Sequence, residues 1–298
     1  MIVMSAYPKK ILRDFKPEKK FFVGIDSDGC AFDTMEIKHK ECFCPNVIKY
    51  FDLQPISKYA RQIWEFVNLY SNTRGSNRFI ALLRVFELLR ERKEVIARKV
   101  QIMDLSPLAE WVKKETKLGN PALEKYAKIT NDQVIDQTLN WTKAVNASIA
   151  DMVHGITPYP YVRESLDKLN TMADAIVVSQ TPVEALSAEW SENDIQKYVK
   201  LLAGQEYGSK EEHIRYAAKD KYSDNNILMI GDAPGDMAAA KKNGVLFYPI
   251  NPGDEEASWK RFYQEGLNKF FTGGFRGDYQ QALIREFMSY LPVKVPWE

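Results

Sequence analysis

Short apolar runs rich in β-branched and aromatic residues recur along the chain, at 21–25, 175–178, 199–202, 227–230 and 245–248. Each has strand length and is apolar enough to be covered on both faces. Helical spacing separates the last four: Val162, Leu166 and Leu169; then Val183, Leu186 and Trp190; then 233–242 running into Asn243-Gly244. Strands alternating with helices predict parallel βαβ units, and hence an α/β fold with a doubly wound parallel sheet. Thr181-Pro182-Val183-Glu184 and Ser209-Lys210-Glu211-Glu212 read as S/T-x-x-E helix starts, the first with proline at its first helical position.

Between the first and second runs the pattern changes. No strand is evident there, and 59–70, 79–92, 107–115 and 131–151 have helical spacing, as in Leu82, Val85, Phe86 and Leu89. The expected organisation is a core of 1–36 and 155–250, an all-helical insertion at 37–154 and a helical extension at 251–298 packed on the core. An insertion after the first strand hangs over the strand ends, where a lid belongs.

Composition narrows the partners. With 41 basic and 40 acidic residues among 298, the net charge is +1, so no global field favours nucleic acid or an anionic membrane. Three cysteines, Cys30, Cys42 and Cys44, are too few for a disulfide framework and suit a reducing, cytoplasmic setting. With His39 they space too irregularly for a metal site and read as buried thiols. No apolar run approaches the ~18 residues of a membrane span, and no obligate protein partner is implied.

In an open α/β sheet, ligands bind beyond the carboxyl ends of the strands, so the residues that follow each strand carry the chemistry. After the first come Asp26 and Asp28, on one side by the period of two, with Gly29 turning the chain away. After the second stands Ser179, before a helix start whose free N–H groups suit a phosphoryl oxygen. After the third comes Lys210. After the fourth, Gly231-Asp232-Ala233-Pro234-Gly235-Asp236 adds Asp232 and Asp236. Two carboxylate pairs, a hydroxyl and a lysine are what Mg²⁺-assisted phosphoryl transfer through an aspartyl-phosphate requires.

The ordered set Asp26-Ser27-Asp28-Gly29, Ser179, Lys210 and Gly231-Asp232 through Asp236 resembles the four motifs of the haloacid dehalogenase superfamily of phosphohydrolases. Phe32-Asp33-Thr34 and 157–162 are similar to its flanking segments. The resemblance implies a Rossmann-like core with a C1-type helical cap and a Mg²⁺-dependent phosphomonoesterase of a small phosphorylated metabolite. Asp26 would be the nucleophile, Asp28 the general acid and base, and Ser179 and Lys210 the phosphoryl holders. Asp26, Asp28 and Asp232 would hold Mg²⁺, with Asp236 ordering its surroundings. A phosphomutase using the same intermediate, or a binding module that keeps the fold without turnover, stays open. In the insertion, the polar loop 72–78 offers Arg74, Asn77 and Arg78 as residues that read the substrate.

Overall fold

The computed structural model describes residues 6–297. Five parallel strands, β1 (Phe21–Ile25), β2 (Ala173–Val178), β3 (Leu201–Ala203), β4 (Ile227–Gly231) and β5 (Leu246–Pro249), pair in the order β3-β2-β1-β4-β5. The winding reverses between β1 and β4, which makes the carboxyl end of β1 the switch point of the sheet. Register brings the strand ends level: Ile25 lies opposite both Val177 of β2 and Ile230 of β4. The amides of Asp26 and Ser179 extend the ladder to Ile230 O and Ala203 O, at 3.0 and 2.9 Å.

Both faces of the sheet are covered, as near-continuous apolar strands demand. Phe21, Val23 and Ile25 pack on one side with Trp190, Trp259, Phe262 and Phe270. Phe22, Ile176 and Met229 pack on the other with Leu12, Ile214 and Phe287. The stretch after β5 thus covers the first face through helices Glu255–Arg261 and Leu267–Phe271, and reaches the second with Phe287 of helix Asp278–Tyr290.

β2 begins two residues before the apolar run that announced it, because Asp174 interrupts the run yet is fully buried. Its carboxylate accepts from the amides of Glu18 and Lys19 at 2.8 and 3.0 Å and from the Tyr222 hydroxyl at 2.6 Å, and pairs with Lys200 at 2.6 Å.

The chain forms two compact units. One runs up to Thr34 and resumes over Gly155–Leu291; the other comprises Met35–His154 and the residues from Pro292 onward. The last segment corrects the expectation that all of 251–298 packs on the core. Val295 and Trp297 pack against the core of the helical unit, where Trp297 meets Phe66 edge-on at 5.4 Å and Arg92 lies 4.5 Å over its ring. The Asn72 amide donates to Pro292 O at 3.3 Å.

Within the helical unit, helices Ser57–Asn68, Arg78–Glu91, Ser106–Lys114 and Gln133–Met152 surround a centre of Trp64, Phe79, Phe86 and Trp141. Helix Asn120–Thr130 was not legible as apolar spacing because it buries only Leu123 and Ala127; its proline start and the left-handed Asn131 at its end are the signals present. Among the described residues no helix is long and apolar enough to cross a membrane.

Candidate active site

The loop leaving β1 is tight. Gly29 takes φ 73°, a left-handed conformation that glycine adopts without strain, and its amide donates to Phe32 O at 2.8 Å. This turn leaves Asp26 buried at the switch point, its Oδ1 accepting from the Ser27 amide at 2.8 Å and its Oδ2 from Lys210 Nζ at 2.7 Å. The same ammonium donates to Asp236 Oδ1 at 2.6 Å. Lys210 stands at the first position of helix Lys210–Ala217, behind a capping box in which Ser209 Oγ accepts from the Glu212 amide and Glu212 returns to the Ser209 amide.

Asp232 and Asp236 come from the end of β4. Asp236 folds back so that its Oδ2 accepts from the Ala233 amide at 3.1 Å. A Cβ on Gly231 would lie 2.4 Å from the Asp236 Cβ, so only glycine there lets this carboxylate tuck in. Acceptor atoms of Asp26, Asp232 and Asp236, all buried, lie within 4.8 Å of one another. Burial raises the pKa of Asp26; the Lys210 charge opposes that rise, and the Asp236 and Asp232 charges add to it. Burial works against the Lys210 charge, but Asp236 and Asp26 outweigh it and hold its pKa above the usual lysine value. Lys210 thus pairs with Asp26 and Asp236, and Asp232 joins them as a third buried carboxylate. A buried all-oxygen cluster of three carboxylates fits a hard divalent cation such as Mg²⁺.

Asp28 is not part of that cluster. Thr34 Oγ1 donates to its Oδ1 at 2.5 Å and Thr181 Oγ1 to its Oδ2 at 2.7 Å. The Thr181 contact corrects the reading of 181–184 as a helix cap. Pro182 is the N-cap, without a side-chain bond, and the Thr181 hydroxyl goes to Asp28 instead. Ser179 is buried, its Oγ accepting from the Thr181 amide at 3.1 Å. The structure thus brings Asp26, Lys210, Asp232 and Asp236 together, with Asp28 and Ser179 linked through Thr181. Thr34 and Thr181 were in the sequence motifs, but nothing in their spacing showed that both hydroxyls point at one carboxylate.

The three residues of loop 72–78 have separate fates within the helical unit. Asn77 caps helix Arg78–Glu91 through the Phe79 amide and donates to Leu118 O. Arg74 is buried and donates to Leu69 O at 2.9 Å. Arg78 lies 4.9 Å over the Phe43 ring and donates to Thr142 Oγ1 and Asn146 Oδ1 at 2.8 and 2.7 Å. Burial without a carboxylate lowers its pKa to about 10. Cys30, Cys42 and Cys44 are free and buried.

Residues 107–250 match the family of haloacid dehalogenase-like hydrolases. The match includes Ser179, Lys210, Asp232 and Asp236; Asp26 and Asp28 join them through the sheet. This stretch, just under half of the chain, is similar to haloacid dehalogenase-like hydrolases. Among solved structures it is similar to a haloacid dehalogenase-like family hydrolase of Xanthomonas campestris, with 10% identity and TM-score 0.46 over 88% of this chain and 97% of that one. It is similar also to a predicted phosphoglycolate phosphatase of Haemophilus somnus 129pt, with 12% identity and TM-score 0.48 over 79% and 88%. A third is a haloacid dehalogenase-like family protein of Streptococcus pneumoniae, with 14% identity and TM-score 0.42 over 82% and 90%. No curated protein matches the chain in sequence.

Proposed function

We propose that the protein is a Mg²⁺-dependent phosphomonoester hydrolase working through an aspartyl-phosphate on Asp26. The observation that carries this reading is the convergence of Asp26, Lys210, Asp232 and Asp236 beside a separately held Asp28. Asp26, Asp232 and the Asp28 carbonyl would hold the cation, with Asp236 fixing their surroundings. When bound, it offsets repulsion between phosphate and carboxylates.

Asp26 attacks phosphorus as the bond to the ester oxygen breaks, and Asp28 delivers a proton to that oxygen. Asp28 then takes a proton from the water that attacks phosphorus, releasing inorganic phosphate and restoring the Asp26 carboxylate. Lys210, with Ser179, holds the oxygens on which charge spreads. The two threonine hydroxyls keep Asp28 oriented through both proton transfers.

The substrate proposed is a small phosphorylated metabolite rather than a nucleic acid or a membrane component, with no obligate protein partner. Arg78 is the residue of the helical unit proposed to read its remaining part, since its partners are neutral and its charge is uncompensated. Three free buried thiols support a cytoplasmic setting.

The test is phosphate release from an aryl phosphate and a panel of metabolite phosphates, with and without Mg²⁺. Metal removal should lower the rate roughly 10³-fold, the several kcal/mol that charge neutralisation contributes, and added Mg²⁺ should restore it. Full activity without metal overturns the metal role. An isomerised ester in place of free phosphate would make the protein a mutase, and no turnover would make it a binding module.

A further inference from the structure

The loop that bears the nucleophile is held from behind as well as by the sheet. Ser27 stands between Asp26 and Asp28 and is fully buried. Its side chain has partners other than those of the two carboxylates beside it. Its hydroxyl donates to Glu189 Oε2 at 3.0 Å and accepts from the Trp190 indole N–H at 2.9 Å. Its carbonyl accepts from the amides of Ala31 and Phe32 at 2.9 and 3.1 Å. The buried Trp190 ring meets Phe32 edge-on at 5.8 Å.

Glu189 and Trp190 lie near the end of helix Val183–Glu192, which starts just after Ser179 and Thr181. This one segment therefore reaches the nucleophile loop twice: Thr181 grips Asp28 at its beginning, and Glu189 with Trp190 grips Ser27 at its end. A buried hydroxyl and a buried indole N–H each cost free energy when unpaired, so together they select one rotamer of each other. Ser27 shares its two peptide units with Asp26 and Asp28. Any turn of its backbone therefore moves both carboxylates.

We propose that Ser27, Glu189 and Trp190 are positioning residues that hold the Asp26–Asp28 backbone in register for in-line attack. The proposal rests on the phosphohydrolase reading above. None of the three touches the reacting atoms; they act through the shared main chain, where small misplacements are costly to rate.

The test uses the full chain with Mg²⁺ and an aryl phosphate. Ser27→Ala and Trp190→Phe should each lower kcat about 10-fold with KM within about 2-fold, and the double variant should be no slower than Ser27→Ala alone, because both act through one hydroxyl. Ser27→Thr, which keeps the hydroxyl, should recover kcat to within about 3-fold. Glu189→Gln, isosteric and at a half-buried position, tests the clamp without opening the core and should also lower kcat at unchanged KM. Amide hydrogen exchange supplies a readout independent of turnover: exchange at Ala31 and Phe32 should quicken in Ser27→Ala while the amides of β4 stay protected. Wild-type kcat in Ser27→Ala and Glu189→Gln, losses that multiply in the double variant, or unchanged exchange at 31–32 would overturn the clamp. An inactive wild-type protein whose loop still loosens in Ser27→Ala would overturn the phosphohydrolase reading and leave the clamp standing.

Discussion

In the helical unit, Asn68 donates to Trp64 O at 2.9 Å, Thr138 to Val134 O at 2.7 Å and Asn46 to Cys42 O at 2.7 Å, each four residues back along its own chain. In the core, Lys210 reaches Asp26 across 184 residues, Thr181 reaches Asp28 across 153, and Trp190 reaches Ser27 across 163. Local bonds of the first kind satisfy a buried polar group and ask nothing of the tertiary structure. Long-range bonds exist only once the tertiary structure has formed, and in the core they gather at the strand ends where the candidate site lies. The helical unit has long-range bonds as well: Arg78 reaches Thr142 and Asn146 at separations of 64 and 68, and Asn46 also reaches Ser148 across 102.

The largest effect should come from breaking the long-range set at its centre. Asp26→Asn keeps the shape and removes the nucleophile, so turnover of an aryl phosphate should fall about 10⁴-fold or more while the melting temperature changes little. Retention of wild-type turnover would remove Asp26 from the chemistry. Next comes Gly231→Ala, whose methyl would displace the Asp236 carboxylate; kcat should fall about 10²-fold, and the melting temperature should fall too. Wild-type kcat in that variant would show that Asp236 need not be seated there.

Asp174 tests whether every buried carboxylate of the core is catalytic. It sits at the amino end of β2, opposite Phe22 of β1. Burial would raise its pKa, but Lys200, the Tyr222 hydroxyl and the Glu18 and Lys19 amides outweigh that and lower it. A carboxylate with a lowered folded pKa stabilises fully above its unfolded value of about 3.9, and that contribution is lost as pH falls through the folded value. Urea midpoints measured from pH 7 down to 3 should drop below about pH 4, and Asp174→Asn should be less stable at neutral pH with a flatter acid limb. Its kcat should stay near wild type; a large loss would erase the distinction between the two ends of the sheet. The smallest effect belongs to Thr138→Val, which removes a bond within one helix turn: about 1 kcal/mol of stability and less than about 2-fold in rate. A tenfold rate loss there would mean the helical unit's local bonds also serve catalysis.

The strands were legible because a parallel sheet covered on both faces needs apolar runs, and the site was legible because β1, β2 and β4 are followed directly by Asp26, Ser179 and Asp232, with Lys210 a short loop beyond β3. What escaped the sequence is relational. Asp174 looked like a polar break in β2, since its four partners come from elsewhere in the chain. Thr181 looked like a helix cap, and only the level strand ends put its hydroxyl 2.7 Å from Asp28. Ser27 offered no pattern at all; its significance depends on Trp190, whose spacing signals a core residue and not an indole N–H aimed at a serine. The segment from Pro292 was misassigned for the same reason, because an apolar residue announces burial without naming its neighbour.

That segment bears on how this protein can be taken apart. The helical unit is written in two stretches of chain, and Trp297 supplies an aromatic wall against Phe66 and Arg92 that residues 35–154 lack on their own. A chimera that exchanges only 35–154 for a relative's helices would leave Trp297 of this chain without Phe66 and Arg92, and the excised helices would carry an uncovered Phe66. A cut-and-paste boundary drawn from the inserted helices alone is therefore wrong by one short piece, and recombinants should carry the residues from Pro292 onward with the helices they complete.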